Sequence, residues 1–129
     1  MRIKKIQAEN FRNLENIKIE FSDGINIIYG NNAQGKTNII EAIYVFSFGK
    51  SFRATKEIEL LKFDKEYFLS KIDIIKKDRD TEMSFGFDRI SNKKMIKING
   101  VIQKKVSDII GKLNIVVFKP EDIKIVTDS

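Results

Sequence analysis

The stretch GINIIYGNNAQGKTNIIEAIYVFSFG, from Gly24 to Gly49, restricts the fold more than any other part of this chain. It has three parts. GINIIYG is short, apolar and rich in β-formers, as expected of a strand buried on both faces. A glycine loop follows without a spacer. The segment after Lys36 then places apolar residues at 39, 40, 43 and 46, the spacing of one helical face, and Gly49 supplies a stop. Strand, glycine loop and helix in immediate succession predict an α/β protein.

The loop carries the pattern G-x-x-x-x-G-K-[ST] in Gly30, Gly35, Lys36 and Thr37. The physical logic is that of a phosphate cradle. Backbone N–H groups must close around an anion, so the two glycines keep side chains out of the approach. A helix starting inside the loop points its positive end at the same anion. Lys36 would reach β- and γ-phosphate oxygens as a point charge, and the Thr37 hydroxyl would meet Mg²⁺. The competing reading is a surface turn ahead of a helix. The strand and helix on either side favour the cradle.

Elsewhere the pattern is mostly β. IKKIQAENF alternates as a strand, FRNL interrupts it, and Leu14, Ile17, Ile19 and Phe21 mark a second, partly exposed strand antiparallel to the first. Within SFRATKEIELLKF, the residues Ile58, Leu60, Leu61 and Phe63 predict one short helix. YFLSKIDIIKK and MSFGFDRI alternate on either side of a polar turn, DRDTE. SNKK predicts another turn, KMIKI a short strand, and Asn99-Gly100 a tight hairpin into VIQKK. These segments form an antiparallel meander. VSDIIGKL reads as a short helix, NIVVF as a strand, and Pro120 as the first turn of a further helix.

Composition narrows the chemistry. At 42% hydrophobic and 33% charged, the 129 residues are those of one globular domain. No cysteine is present, so there is no disulfide framework, and without histidine a His-based triad or the usual zinc site is excluded. The N-terminus lacks the apolar core of a signal peptide, and no stretch has the apolar length of a membrane span. A cytoplasmic protein is expected. The net charge of +6 is uneven: Arg89, Lys93, Lys94, Lys97, Lys104 and Lys105 fall between positions 89 and 107 with no acidic residue among them. Such a stretch suits contact with DNA phosphates or simply forms a solvated face.

Two absences bear on catalysis. Nucleotide hydrolysis by such a loop needs an acidic residue after an apolar strand. NIVVF ends in Lys119, and the stretch ending at Asp88 belongs to the meander. The seven glycines are all isolated, so no LSGGQ-type signature lies in this sequence.

A kinase or small GTPase would continue with further β-α units, whereas a meander after the loop helix is typical of the first lobe of ABC-type ATPases. Within that class the sequence resembles the RecF family, bacterial recombination mediators of the SMC-like group. The resemblance lies in ENFRNL at 9–14, GNNAQGKTNIIEAIY at 30–44, GKSFR at 49–53 and VVFKPEDIKIV at 116–126. It implies a mixed-sheet α/β lobe over residues 1–129, as a fragment whose second lobe, signature and Walker B motif lie further on. Ala33 stands where many relatives have glycine, a variation common in the family.

By resemblance, ATP would be held by Gly30, Asn31, Asn32, Ala33, Gln34, Gly35, Lys36, Thr37 and Asn38, with Mg²⁺ on Thr37 and Arg12 and Asn13 beside the nucleotide. A plain inter-strand turn is the alternative for Arg12 and Asn13. Arg53 would meet phosphate, DNA or a dimer partner, or lie solvated. Pro120, Glu121 and Asp122 sit at the Q-loop position without a glutamine, and a helix cap serves equally. The family implies DNA bound near single-strand gaps, RecR and RecO as partners, head-to-tail dimerisation around ATP, and slow hydrolysis in the full-length protein. The fragment alone would bind nucleotide weakly and hydrolyse none. RecN-like or OLD-like heads, and a non-catalytic DNA-binding module using the loop for phosphate, are the alternatives.

Overall fold

The computed structural model describes residues 2–24, 26, 33–105 and 108. The expected strand at 24–30, the start of the glycine loop and the elements expected after VIQKK lie outside the described residues.

Strands β1 (Arg2–Phe11) and β2 (Leu14–Glu20) form the first hairpin. Helix α1 (Ala33–Phe48) follows, then a single 3-10 turn (Glu57–Leu60). Strands β3 (Tyr67–Lys76), β4 (Arg79–Asp88), β5 (Lys93–Ile98) and β6 (Val101–Gln103) form the meander. All belong to one six-stranded sheet in the order β2-β1-β3-β4-β5-β6, and each described pair is antiparallel.

The period-2 alternation of these strands decides which face is buried. In β1 it places Ile6 and Ala8 inward, and the register sets them beside Ile72 and Ser70 of β3. Phe68, Ile72 and Ile74 of β3 and Met83, Phe85 and Phe87 of β4 continue the layer. α1 lies on this face, against β1 and β3, and contributes Ala42, Ile43, Val45 and Phe46. Phe68 is the centre of the aromatic packing, edge-on to Phe11 at 5.5 Å and stacked on Phe85 at 5.8 Å. Each fully buried phenylalanine contributes on the order of 1.5–3 kcal/mol.

Three local expectations change. The polar turn at DRDTE shrinks to Lys77 and Asp78, both left-handed (φ 53° and 62°), and Arg79–Glu82 are already in β4. Polar composition reports exposure there and not backbone shape, because the tip of this hairpin is solvated on both faces. SNKK contains a turn only up to Asn92, where the Asp88 carboxylate accepts the N–H groups of Ile90 and Ser91. The helix expected around Ile58–Phe63 is one 3-10 turn: Leu60 is buried, whereas Phe63 is 94% exposed. The chain leaves that turn early because Lys62 N–H binds the Asn10 carbonyl and Leu61 bridges to Phe11.

α1 ends as expected. Gly49 is left-handed (φ 73°) and its N–H returns to the Val45 carbonyl at 2.8 Å. Its buried face is shifted from 39, 40, 43 and 46: Ile43 and Phe46 are buried, Ile39 and Ile40 only half-buried, and Asn38, Glu41, Ala42 and Val45 are enclosed as well.

Candidate functional site

α1 begins at Ala33, inside the glycine loop, so Gly35, Lys36 and Thr37 occupy its opening turns. The first N–H groups of a helix have no intrahelical partner, which makes this end a donor-rich, electropositive place. Gly35, Lys36 and Thr37 are half-buried and each is engaged in contacts within the protein. Gly30, Asn31 and Asn32 lie outside the described residues, and Ala33 and Gln34 are described only as the first helical positions.

Asn38 is the next residue and is buried. Its side-chain N–H donates to the side-chain oxygen Oδ1 of Asn13, and its own side-chain oxygen accepts from the Arg53 guanidinium. One turn further, Glu41 is completely buried. Arg12 grips it with two bonds, Nε to Oε1 at 2.8 Å and Nη2 to Oε2 at 2.9 Å. Arg53 adds Nε to Oε2 at 3.1 Å and Nη2 to Oε1 at 3.0 Å. The Ser51 hydroxyl donates to Oε2 and accepts the N–H groups of Arg53 and Ala54, which shapes the 51–54 turn.

The electrostatics follow from these bonds. Burial alone would push the Glu41 carboxyl up, but hydrogen bonds from Arg12, Arg53 and Ser51 outweigh it and hold the group below the ordinary glutamate range. Glu41 is therefore ionised at neutral pH. Among the described residues two guanidinium charges face one carboxylate, so the cluster there keeps one positive charge. The backbone is shaped for it as well. Arg12 is left-handed (φ 54°), unusual for a long side chain, and its N–H is tied to the Leu60 carbonyl at 2.7 Å.

The structure thus brings Arg12, Asn13, Asn38 and Arg53 together within about one turn of α1 from Lys36 and Thr37, on Asn38 and Glu41. Arg12 and Asn13 do form an inter-strand turn, and their side chains are also pinned to α1. Arg53 is not a solvated lone cation. Glu41 and Ser51 were not singled out from sequence. A lone glutamate in the apolar run NIIEAIYVF, four residues after Thr37, was the available signal. Among the described residues no cluster of acidic side chains could hold a metal by itself. The donor set at the start of α1, a lysine, a hydroxyl, helix-start N–H groups and a net-positive cluster, suits Mg²⁺ only in company with a polyphosphate.

The basic stretch is divided by the pleat. Lys93 and Lys97 are on the face of the sheet away from α1, as is Met95 between them. Lys94 is on the helix side and pairs with Glu57 at 3.0 Å. Arg89 is exposed in the turn before β5, and Lys104 and Lys105 are exposed after β6. The register also builds a row invisible in the sequence: Lys18, Gln7, Lys71, Ser84 and Lys97 lie side by side across five strands, on the face away from α1.

A family model described as an AAA domain matches residues 5–128, and the chain belongs to that family. Among individual proteins it is similar to the N-terminal part of RecF. It is 45% identical over 129 residues to the DNA replication and repair protein RecF of Thermoanaerobacter sp. (strain X514), which covers all of this chain and 35% of the relative. The solved structure of the recombination mediator protein RecF-ATP in the RecFOR pathway superposes with a TM-score of 0.85 at 45% identity, covering 96% of this chain and 33% of that one. The SMC head domain from Thermotoga maritima superposes with a TM-score of 0.65 at 26% identity, covering 84% of this chain and 41% of the other. The chain spans about a third of the length of the curated relatives it matches. The expected fold class, an α/β lobe with antiparallel strands and a loop helix, is the one these heads share. Among the described residues no helix is long and apolar enough to cross a membrane.

Proposed function

We propose that the chain is the nucleotide-binding N-terminal lobe, residues 1–129, of a RecF-type DNA-repair ATPase. The observation that carries this reading is the junction at the start of α1. Gly35, Lys36 and Thr37 open the helix, and Asn38 immediately joins Asn13 and Arg53. A helix start, a lysine and flanking guanidinium groups are complementary to a polyphosphate. Gly30 to Gln34 would complete the cradle. Lys36 would neutralise β- and γ-phosphate oxygens, Thr37 would offer its hydroxyl to Mg²⁺, and Arg12 and Asn13 would border the nucleotide. The similarity to an ATP-bound RecF along nearly the whole chain supports ATP as the ligand.

The wider role belongs to the same proposal. The protein binds duplex DNA near single-strand gaps, dimerises head to tail around ATP, and works with RecR and RecO in the bacterial cytoplasm. ATP acts as a clamp that slow hydrolysis releases. The RecF name of the relatives and the RecFOR context of the solved structure support this reading over that of an SMC head, the Thermotoga maritima one being 26% identical.

The test is calorimetric titration of Mg-ATP into the chain and into Lys36→Ala. Saturable binding that disappears in the variant, with helicity unchanged, is the expected result. Equal binding by both proteins, or none by either, overturns the nucleotide reading. A Lys36→Ala chain that loses only DNA binding would instead make the loop a site for a backbone phosphate.

A further inference from the structure

Glu41 has no part in the G-x-x-x-x-G-K-[ST] pattern, yet three separate segments meet on its carboxylate. The β1–β2 turn arrives through Arg12, the segment after α1 through Ser51 and Arg53, and α1 supplies Glu41 itself. We infer that Glu41 is a positioning residue, holding the Arg12 and Arg53 guanidinium groups beside the opening turns of α1 so that an anion bound there meets two pre-set cations. This rests on the nucleotide reading above.

Stability alone does not call for a charge at this point. Position 41 is fully enclosed, and its neighbours in sequence, Ile40 and Ala42, are apolar. A buried ion cluster in such a place is commonly no more stable than a well-packed apolar residue. What the carboxylate does supply is geometry. Each guanidinium places two N–H groups on its oxygens, so both planes are fixed, and Ser51 stops the carboxylate from turning. Arg53 also reaches Asn38, the residue after Thr37, which ties the cluster directly to the helix start. Counted over the described residues, the cluster keeps one positive charge in excess, the sign that a polyphosphate requires. Long cationic side chains held in place lose less freedom when an anion arrives than untethered ones do.

Glu41→Gln keeps the shape and removes the charge. Its amide group turns donors toward a guanidinium that has only donors, so at least one arginine is released. The experiment is a double-substitution cycle read by Mg-ATP calorimetry on the 129-residue chain: unsubstituted, Glu41→Gln, Arg53→Gln and both together, with thermal unfolding of each as a fold control. In the unsubstituted background, Arg53→Gln weakens binding by about tenfold, the scale of one charge-assisted hydrogen bond. In the Glu41→Gln background the same change has little effect. An Arg53 effect of equal or greater size in that background overturns the inference, because Glu41 would then be structural only. The same cycle with Ser51→Ala, which keeps both charges, reduces the Arg53 effect in part; no reduction counts against the inference, and this cycle decides it should Glu41→Gln fail to fold. Failure of the unsubstituted chain to bind Mg-ATP would overturn the nucleotide reading and this inference with it, whereas binding with additive substitutions overturns this inference alone.

Discussion

Arg12 and Glu41 are joined fork to fork, with Nε to Oε1 at 2.8 Å and Nη2 to Oε2 at 2.9 Å, across 29 residues of sequence. The pair ties the β1–β2 turn to α1. Arg12→Gln leaves a buried carboxylate with Arg53 and Ser51 only. Removing one partner of a buried pair costs up to several kcal/mol, and the remaining partners reduce this to about 2 kcal/mol. Urea unfolding with a lowered midpoint and an unchanged slope checks it. A midpoint within error of the unsubstituted chain would show that the pair does not hold the turn.

Acid should unfold the protein through the same cluster. The Glu41 carboxyl is held below its ordinary range in the fold, so the unfolded chain takes up the proton first as pH falls. Its contribution is fully present above the unfolded value, near pH 4, and is lost as pH falls through the lower folded value. Glu57 acts in the same direction: partial burial would raise it, but its own backbone N–H and Lys94 lower it. Stability followed by circular dichroism should therefore be flat near neutrality and fall below about pH 4. Glu41→Gln should flatten that fall; an unchanged acid limb would contradict the assignment.

The β5–β6 hairpin depends on two left-handed residues, Asn99 (φ 50°) and Gly100 (φ 80°). Asn99 also closes a two-way link with Glu82, its N–H on the Glu82 carbonyl at 2.7 Å and its side-chain oxygen on the Glu82 N–H at 2.9 Å. Asn99→Ala loses the side-chain bond and places a less tolerant residue at positive φ, costing about 1–2 kcal/mol. Gly100→Ala costs about 1 kcal/mol from conformation alone, since no atom lies within 4 Å of the added carbon. Thermal unfolding of both variants is the check, with Asn99→Ala expected to be the worse.

The lysines of β5 should separate by face. Lys93→Glu with Lys97→Glu alters only the face away from α1. On the DNA-contact proposal it weakens duplex binding and flattens the log–log salt dependence by about 0.9 for each DNA phosphate that is no longer neutralised. Lys94→Glu alters the other face and sets two carboxylates together at Glu57. It should lower stability slightly and leave DNA affinity near the unsubstituted value. Fluorescence anisotropy on a labelled duplex at several salt concentrations distinguishes them. A decrease from Lys94→Glu about half that of the double variant in log affinity, in proportion to the charge reversed, would mean that net charge, and not a face, sets the affinity.

Part of this structure is legible residue by residue. Alternation in YFLSKIDIIKK and MSFGFDRI identifies β3 and β4, Gly49 ends α1, and Asn99-Gly100 makes the hairpin. Each signal sits within a few residues of its effect. Composition is a poorer guide where it stands in for conformation: Arg79–Glu82 are polar because the tip of the β3–β4 hairpin is solvated, and they are strand all the same. The division of Lys93 from Lys94 was available from the two-residue period, since neighbours in a strand cannot share a face.

The amino-acid sequence by itself determined the local chemistry of this protein: a helix opening on Gly35-Lys36-Thr37, alternating strands, and a two-residue turn at Asn99. These follow from backbone sterics and from the periodicity of side chains, which act over one or two turns of chain. Only the tertiary structure decided what surrounds that helix. Glu41 is buried because α1 lies across β1 and β3. Arg12 and Arg53 then converge on it because a buried carboxylate needs charged partners, and these two are carried to it by the segments packed against α1. Likewise Lys18, Lys71 and Lys97 share a row because the strand register aligns them. Distances in sequence give no access to such groupings, which depend on the order of strands and the side of the sheet that the helix covers.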